Sequence, residues 1–100
     1  MKRIKNKIKP AVIGLGYVGL PIFIRLNKKF KTIGFDIDKS RVSELSDKKD
    51  LNKEFTTKDL ILRNGSFFSN RYDDLKKFNF FIVTVPTPVF KNNSPDLRNL

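Results

Sequence analysis

Apolar residues gather in four short runs along the chain, and polar, charge-rich stretches separate these runs. The runs contain few charged positions, so they predict strands buried on both faces, as in a parallel sheet. The most apolar run is followed by Pro86, which cannot donate to a sheet ladder. The predicted strands are residues 10–15, 31–37, 66–69 and 80–85.

Between the first two strands the apolar positions recur every three or four residues, which predicts an amphipathic helix lying on the sheet. Pro21 falls in the first turn of this helix, where a missing backbone N–H costs little. Asp38 is the predicted N-cap of a second helix, and Thr56 or Thr57 that of a short third one. The pattern of residues 72–77 predicts one or two further turns of helix. The apolar positions of the first helix are Gly19, Ile22, Phe23, Leu26 and Phe30.

The first strand, helix and second strand occupy residues 10–37, the size of one βαβ unit. Alternating strands and helices predict the α/β class, with a Rossmann-type doubly wound parallel sheet. We expect about four strands in the spatial order 3-2-1-4, an incomplete version of that sheet. The chain divides into a basic lead-in, residues 1–9, and a partial domain, residues 10–100.

Lys and Arg outnumber Asp and Glu by 21 to 10, which gives a net charge of +11. Such a charge favours an anionic partner: nucleic acid, an acidic membrane surface or a phosphate-bearing cofactor. Residues 1–9 carry five cations and no anion, a pattern typical of a nucleic-acid-binding arm and equally of a solvated lead-in to a strand. The rest of the chain has no helix-turn-helix, zinc-finger or aromatic-basic pattern, so we expect no nucleic-acid partner.

The chain contains no Cys and no His. Disulfides, thiolate nucleophiles, Cys/His metal sites and histidine bases are therefore excluded within these residues, and we predict no catalytic residue and no metal site. The longest uncharged stretch, residues 10–24, has 15 residues with three Gly and two Pro, and it is too short and too broken to cross a bilayer. We expect a cytoplasmic protein without a membrane partner.

A glycine pattern lies at the first strand-to-helix turn, where residues 14–19 read Gly-Leu-Gly-Tyr-Val-Gly and fit G-x-G-x-x-G. In that pattern Gly14 makes the tight turn, Gly16 lets a pyrophosphate approach the backbone, and Gly19 lets the helix press onto the strand. A helix that begins there directs its free N–H groups and positive dipole end at phosphates. The pattern, placed between a strand and a helix, predicts a dinucleotide site.

An acidic residue at the end of the second strand completes this pattern. Asp36 lies 22 residues after Gly14, where a carboxylate accepts hydrogen bonds from the adenosine-ribose hydroxyls and repels a 2′-phosphate. This predicts NAD as the cofactor rather than NADP. Lys39 and Arg41 lie nearby and leave a 2′-phosphate contact open, although Arg41 can equally pack against the adenosine end of NAD.

Four motifs in order carry a resemblance to a known family. They are residues 12–21, which include the glycine turn, residues 34–42, residues 81–88 with Val-Pro-Thr-Pro, and residues 94–97, Ser-Pro-Asp-Leu. From about residue 8 to residue 100 the chain resembles the N-terminal NAD-binding domain of the UDP-glucose/GDP-mannose dehydrogenase family. It is most similar to the branch that oxidises UDP-N-acetylhexosamines for bacterial surface polysaccharides. Residues 50–54 resemble the Gly-x-Asp-x-Thr-x-Glu segment of that branch.

The resemblance implies how individual residues hold the cofactor. Tyr17 and Val18 would offer backbone N–H groups to the pyrophosphate. Asp36 and Arg41 would hold the adenosine ribose, and Thr87 would lie beside the cofactor. Thr84, Val85 and Pro86 would form the lip of the fourth strand next to it. The predicted cofactor-binding residues are Gly14, Leu15, Gly16, Tyr17, Val18, Gly19, Asp36, Arg41, Thr84, Val85, Pro86 and Thr87.

The family oxidises the C6 alcohol of a nucleotide sugar to a carboxylate with NAD, through a thioester on a cysteine. The resemblance implies that the catalytic groups, the site for UDP-N-acetylglucosamine or UDP-N-acetylgalactosamine, and a homo-oligomeric state belong to a longer full-length parent. We expect the present chain to be a truncated gene product or an incomplete sequence, unstable and inactive by itself. Two alternatives stay open: the NAD-binding domain of another hydroxyacid-type dehydrogenase, and a non-enzymatic module that binds nucleic acid.

Overall fold

Four parallel strands form one sheet within residues 8–51 and 53–84, the part of the chain that the computed structural model describes. The strands are β1 (Pro10–Ile13), β2 (Ile33–Phe35), β3 (Phe67–Ser69) and β4 (Phe80–Val83). They are joined by two α-helices, α1 (Gly19–Asn27) and α2 (Lys39–Ser46), and by two 3₁₀ helices, Lys58–Leu60 and Tyr72–Lys77. The spatial order is β3-β2-β1-β4, which confirms the predicted order and the α/β class.

The carboxyl ends of the strands are level with one another. Ile13, the last residue of β1, pairs in register with Phe35 at the end of β2 and with Val83 at the end of β4. Phe35 in turn pairs with Ser69 at the end of β3. All four strands therefore end at one edge of the sheet, the edge at which open α/β folds bind ligands.

The first two strands are shorter than the apolar runs predicted. β1 ends at Ile13 instead of residue 15 because Gly14 turns the chain with a φ of +99°. β2 ends at Phe35 instead of residue 37 because the Asp36 carboxylate accepts the Asp38 N–H at 2.9 Å and closes a local turn. Residue 85, the predicted end of the fourth strand, and residues 1–7 of the basic lead-in lie outside the described residues.

α1 ends at Asn27 instead of the predicted Phe30, and Arg63 binds this end. The Arg63 Nε donates to the Asn27 carbonyl oxygen at 3.1 Å, and its Nη2 donates to the Lys28 carbonyl oxygen at 2.8 Å. The Asn27 Oδ1 accepts the Arg63 backbone N–H at 2.9 Å. A guanidinium at these carbonyls satisfies acceptors that a helix end leaves unpaired.

Side chains cap the shorter helices in ways that the sequence partly predicted. The Asp38 carboxylate accepts two backbone N–H groups of the first turn of α2, which confirms the predicted cap. At Lys58–Leu60 the side chain that bonds the first turn is Thr56 rather than Thr57, because the Thr56 Oγ1 accepts the Asp59 N–H at 3.4 Å. In return the Asp59 carboxylate accepts the Thr56 N–H at 3.0 Å. This hydrogen bond lowers the pKa of the Asp59 carboxyl.

β4 is more exposed than a strand buried on both faces. Phe80, Phe81 and Val83 are 53%, 50% and 63% exposed. α1 packs across β1 and β2, and α2 packs against β3, so the described helices lie chiefly over the other three strands. The prediction of burial on both faces is right for β2 and most of β1, and it is wrong for β4 as far as the structure describes it.

The core lies between α1 and the sheet, and Phe23 is at its centre. The Phe23 side chain is fully buried, and its ring centroid lies 4.7 Å from that of Phe68. A Cβ added to Gly34 of β2 would lie 3.1 Å from the Phe23 Cδ1 and 2.8 Å from the Phe68 Cδ1. The bare backbone of Gly34 therefore leaves the room that two aromatic rings fill. Other core residues are Val12, Leu15, Leu20, Ile24, Leu45 and Leu60.

We expect Gly34→Ala to lower the free energy of unfolding by about 1–3 kcal/mol, the usual cost of overpacking a filled core. Urea denaturation of the protein measures this change. In a Phe23→Leu background the smaller side chain gives the Phe68 ring space to move, so the loss caused by Gly34→Ala should shrink through a coupling of about 0.5–3 kcal/mol. Equal losses in the two backgrounds would show that Phe23 does not require a glycine at residue 34.

Candidate cofactor-binding site

The turn between β1 and α1 is built around Gly14. Its φ of +99° lies in the left-handed region, and an added Cβ would come within 2.4 Å of the Thr84 carbonyl oxygen. Each of these conditions requires glycine. The Gly14 N–H donates to the Phe35 carbonyl oxygen at 2.8 Å, which ties the turn to the end of β2.

Gly19, the first residue of α1, lets the helix begin directly against this turn. A Cβ on Gly19 would lie 1.6 Å from the Gly14 carbonyl oxygen and 2.5 Å from the Thr84 Oγ1. No side chain fits at those distances. The contact between helix and turn is therefore as close as the glycine pattern predicts.

Gly16 differs from the other two glycines of the turn, because a Cβ built on it has no neighbouring heavy atom within 4 Å. Tyr17 and Val18, which follow it, are 67% and 63% exposed. The backbone N–H groups of these three residues donate to no acceptor among residues 8–51 and 53–84. Free N–H groups at a helix start, beside an open glycine, match the requirements of a diphosphate. The residues present therefore fit the pyrophosphate of a dinucleotide.

Asp36 lies beside this turn and also helps to hold it. Its Oδ2 accepts the Leu15 N–H at 2.9 Å, and its Oδ1 accepts the Asp38 N–H at 2.9 Å. Sequence reasoning predicted the ribose contact of Asp36 and missed this second role. Each carboxylate oxygen has two lone pairs, so Asp36 keeps the capacity to accept the ribose hydroxyls.

Arg41 is held by three acceptors on the protein itself. Its Nε donates to the Leu15 carbonyl oxygen at 2.7 Å. Its Nη1 donates to the Glu44 Oε2 at 2.7 Å and to the Asp50 Oδ1 at 3.0 Å. The prediction for Arg41 was a contact with the adenosine ribose, and the structure adds that this guanidinium also positions the glycine turn. Spacing predicts the Glu44 partner, which lies one helical turn away, but not Asp50.

Asp50 is a buried carboxylate that organises the loop after α2. Its side chain is 1% exposed. Its Oδ2 accepts the backbone N–H groups of Glu54 and Phe55, both at 3.1 Å. A buried charge needs such partners, and here the Arg41 guanidinium and two N–H groups supply them. Resemblance of residues 50–54 to a family segment was the one sequence signal that pointed to this loop.

Thr84 joins the end of β4 to the glycine turn. Its backbone N–H donates to the Ile13 carbonyl oxygen at 2.7 Å, and its Oγ1 donates to the Gly14 carbonyl oxygen at 2.8 Å. The contacts of Thr84 thus fix the turn, and its predicted contact with the cofactor stays a prediction. The predicted contacts of Val85, Pro86 and Thr87 lie outside the described residues.

The described residues carry no metal site and no membrane span. No group of three or more Asp, Glu, His or Cys residues in the described segments is placed to bind a metal ion. Among those same residues no helix has the length and apolar character needed to cross a membrane. What the fold and the turn define is a dinucleotide-binding domain of the Rossmann type.

Known proteins resemble this domain in sequence and in structure. The NAD-binding domain of the UDP-glucose/GDP-mannose dehydrogenase family matches residues 8–100. Protein CapL of Staphylococcus aureus is 49% identical over 90 residues, which make up 90% of this chain and 21% of that protein. UDP-N-acetyl-D-glucosamine 6-dehydrogenase of Salmonella typhi is 40% identical over 95 residues, or 95% of this chain and 22% of that protein. The solved structure of UDP-D-ManNAc dehydrogenase from Pyrococcus horikoshii matches with a TM-score of 0.76 and 31% identity, over 92% of this chain and 23% of that one.

The chain belongs to the UDP-glucose/GDP-mannose dehydrogenase family, in which it is the NAD-binding domain. This confirms the resemblance and the cofactor, NAD, that the sequence predicted. The chain spans about a fifth of the length of the curated relatives that it matches, 21% and 22% in the two cases above. The contacts of individual residues with NAD remain predictions.

We expect Gly16→Ala to weaken NAD binding at least about tenfold, because the new methyl group would occupy the space in front of the free N–H groups. Stability should change by no more than about 1 kcal/mol, since no protein atom opposes the methyl group. Isothermal titration calorimetry and a thermal melt measure the two quantities. Gly19→Ala is the contrasting variant and should lower the melting temperature strongly. If Gly16→Ala bound NAD with unchanged affinity, the pyrophosphate would not lie on this turn.

Proposed function

We propose that this chain is the NAD-binding part of an enzyme that oxidises the C6 alcohol of a UDP-N-acetylhexosamine to a uronic acid for polysaccharide biosynthesis. The observation that carries the proposal is the arrangement at the carboxyl edge of the sheet. There the open Gly16 backbone and the Asp36 carboxylate lie on either side of Leu15, whose N–H Asp36 binds at 2.9 Å. A diphosphate and a ribose diol require these two features next to each other.

NAD, when bound, accepts the hydride that leaves C6 of the sugar alcohol. The N–H groups of Gly16, Tyr17 and Val18 bind its pyrophosphate, and they are free to do so within the described residues. Asp36 accepts the hydroxyl groups of the adenosine ribose. Thr84 satisfies the Gly14 carbonyl oxygen by donating to it at 2.8 Å and so helps to hold the turn.

The proposed substrate class draws on the names of the relatives. The Salmonella typhi protein is named for UDP-N-acetyl-D-glucosamine, and so is a Pseudomonas aeruginosa protein that is 43% identical over 93 residues. The Pyrococcus horikoshii structure is named for UDP-D-ManNAc. These substrates share a UDP group and a 2-acetamido sugar, which supports a UDP-N-acetylhexosamine, with UDP-N-acetylgalactosamine as a further candidate.

Catalysis requires groups that these 100 residues do not contain. The chain has no cysteine, so it has no thiol on which a thioester intermediate could form. The catalytic groups, the UDP-sugar site and the contacts of a homo-oligomer are therefore assigned to other parts of the parent enzyme. A cytoplasmic location, where NAD and nucleotide sugars are available, completes the proposal.

The experiment for this proposal is an assay of the parent enzyme with NAD and a panel of UDP-sugars, followed by NADH fluorescence. We expect NADH with UDP-N-acetylglucosamine, UDP-N-acetylgalactosamine or UDP-N-acetylmannosamine, and much less with UDP-glucose. The 100-residue polypeptide should form no NADH with any of them, because it has no cysteine. Activity confined to UDP-glucose would contradict the substrate class. Activity of the 100-residue polypeptide would contradict the assignment of the catalytic groups.

We expect Asp36→Asn to reduce the preference for NAD over NADP by about 1–3 kcal/mol, the value of a hydrogen bond to a charged group. The Asn carbonyl oxygen can still accept the Leu15 N–H, although the Asp38 N–H loses its acceptor, and the charge that repels a 2′-phosphate is lost. Calorimetric titration with both dinucleotides measures the preference. Asp38→Asn is the matched control, because Asn caps a helix as well as Asp does. An unchanged preference in Asp36→Asn would remove Asp36 from the ribose site.

A further inference from the structure

Arg41 lies where a dinucleotide-binding domain can bind the 2′-phosphate of NADP. An Arg close to the acidic residue of the second strand is the usual partner of that phosphate. Here a single residue, Leu15, separates the two groups: its N–H donates to Asp36 at 2.9 Å, and its carbonyl oxygen accepts the Arg41 Nε at 2.7 Å. The Arg41 Nη2 makes no hydrogen bond within the described part of the chain. By position alone, Arg41 would favour NADP.

Two carboxylates that pair with the Arg41 guanidinium reduce its attraction for a 2′-phosphate. The Arg41 Nη1 pairs with Glu44 at 2.7 Å and with Asp50 at 3.0 Å. The side chains of Arg41, Glu44 and Asp50 are 11%, 15% and 1% exposed, so solvent and salt screen these pairs only weakly. Two negative charges against one positive charge give this three-residue cluster a net charge of −1.

The backbone fixes both carboxylates in place. The Glu44 Oε2 also accepts the Leu51 N–H at 2.8 Å. The Asp50 Oδ2 accepts the N–H groups of Glu54 and Phe55, both at 3.1 Å. Because the loop after α2 holds these carboxylates, they cannot follow the guanidinium if it turns toward a ligand. A 2′-phosphate would have to take the guanidinium from two fixed, charged partners.

We propose that Glu44 and Asp50 are specificity-determining residues, which neutralise Arg41 and thereby exclude NADP. This inference rests on the cofactor site proposed above. A phosphate monoester carries about −1.5 to −2 charges at pH 7, so it meets both the carboxylate of Asp36 and the net negative charge around Arg41. NAD has a hydroxyl group at that position and does not meet this repulsion. Discrimination then comes from a cost imposed on the wrong ligand in addition to the contacts made with the right one.

The test compares the dissociation constants of NAD and NADP for the purified full-length parent enzyme by isothermal titration calorimetry. Glu44→Gln removes one charge and keeps an oxygen that can accept from Arg41 and Leu51, so the fold should persist. We expect the ratio of the NADP to the NAD dissociation constant to fall about three- to tenfold in Glu44→Gln. Glu44→Gln/Asp50→Asn should lower the ratio further. Asp47→Asn is the matched control at the end of α2, since Asp47 forms no ion pair with Arg41, and its ratio should not change.

Arg41→Ala shows whether the guanidinium carries the effect. In Glu44→Gln/Arg41→Ala the gain in NADP binding should disappear. An unchanged ratio in a Glu44→Gln protein that binds NAD normally would overturn the inference. An equal fall in Asp47→Asn would do the same, and so would a fall that persists without Arg41, which would assign the effect to Lys39 or to the overall charge. If the unaltered protein bound neither dinucleotide, the proposed cofactor site would be wrong and this inference with it.

Discussion

The backbone of one residue, Leu15, is the point on which the cofactor edge depends. Its N–H donates to Asp36 at 2.9 Å, and its carbonyl oxygen accepts from Arg41 at 2.7 Å. Both bonds have a charged partner, which makes each worth about 1.5–3 kcal/mol. The glycines on either side of Leu15 give the turn a large conformational freedom that folding must remove. Bonds from the end of β2 and from α2 therefore set the shape of the turn, while the fully buried Leu15 side chain anchors it from the core.

Behind the turn, glycines, which have no side chain, let the helix and the sheet approach each other. Gly19 meets the Gly14 carbonyl oxygen and the Thr84 hydroxyl at distances that exclude any Cβ, so α1 begins in contact with the turn. Deeper in the core, Gly34 gives up its side-chain volume to the ring of Phe23. The two glycines act together. Gly19 places the start of α1 at the ends of the strands, and Gly34 lets the rest of α1 pack closely along the sheet. This packing directs the free N–H groups at the helix start toward the open edge.

The strand order, the steric demand of the first and third glycines, and the choice of NAD were predictable because each is encoded locally. An apolar run, a fixed spacing or an acidic residue at a strand end is sufficient for such predictions. The partners of Arg41 were not predictable in the same way. Glu44 lies one helical turn from it, but Asp50 reaches it through a loop that has no period. The fit of Phe23 against Gly34 likewise joins two elements that no local pattern connects. Strand ends were predicted too long because an apolar run reports burial and not the last ladder hydrogen bond.

Overall charge is a weak guide to this site, and the reason lies in where the charges are. The chain carries +11, which favoured an anionic partner of any kind. At the proposed adenosine end, however, the Glu44 and Asp50 carboxylates pair with the guanidinium of Arg41, and the Asp36 carboxylate lies across Leu15 from it. Backbone N–H groups at the helix start, rather than Lys or Arg side chains, are left to stabilise the diphosphate. On the inference drawn above, a 2′-phosphate on the ribose would meet excess negative charge instead. If that inference holds, the local placement of charge, and not its sum, decides which anion this domain accepts.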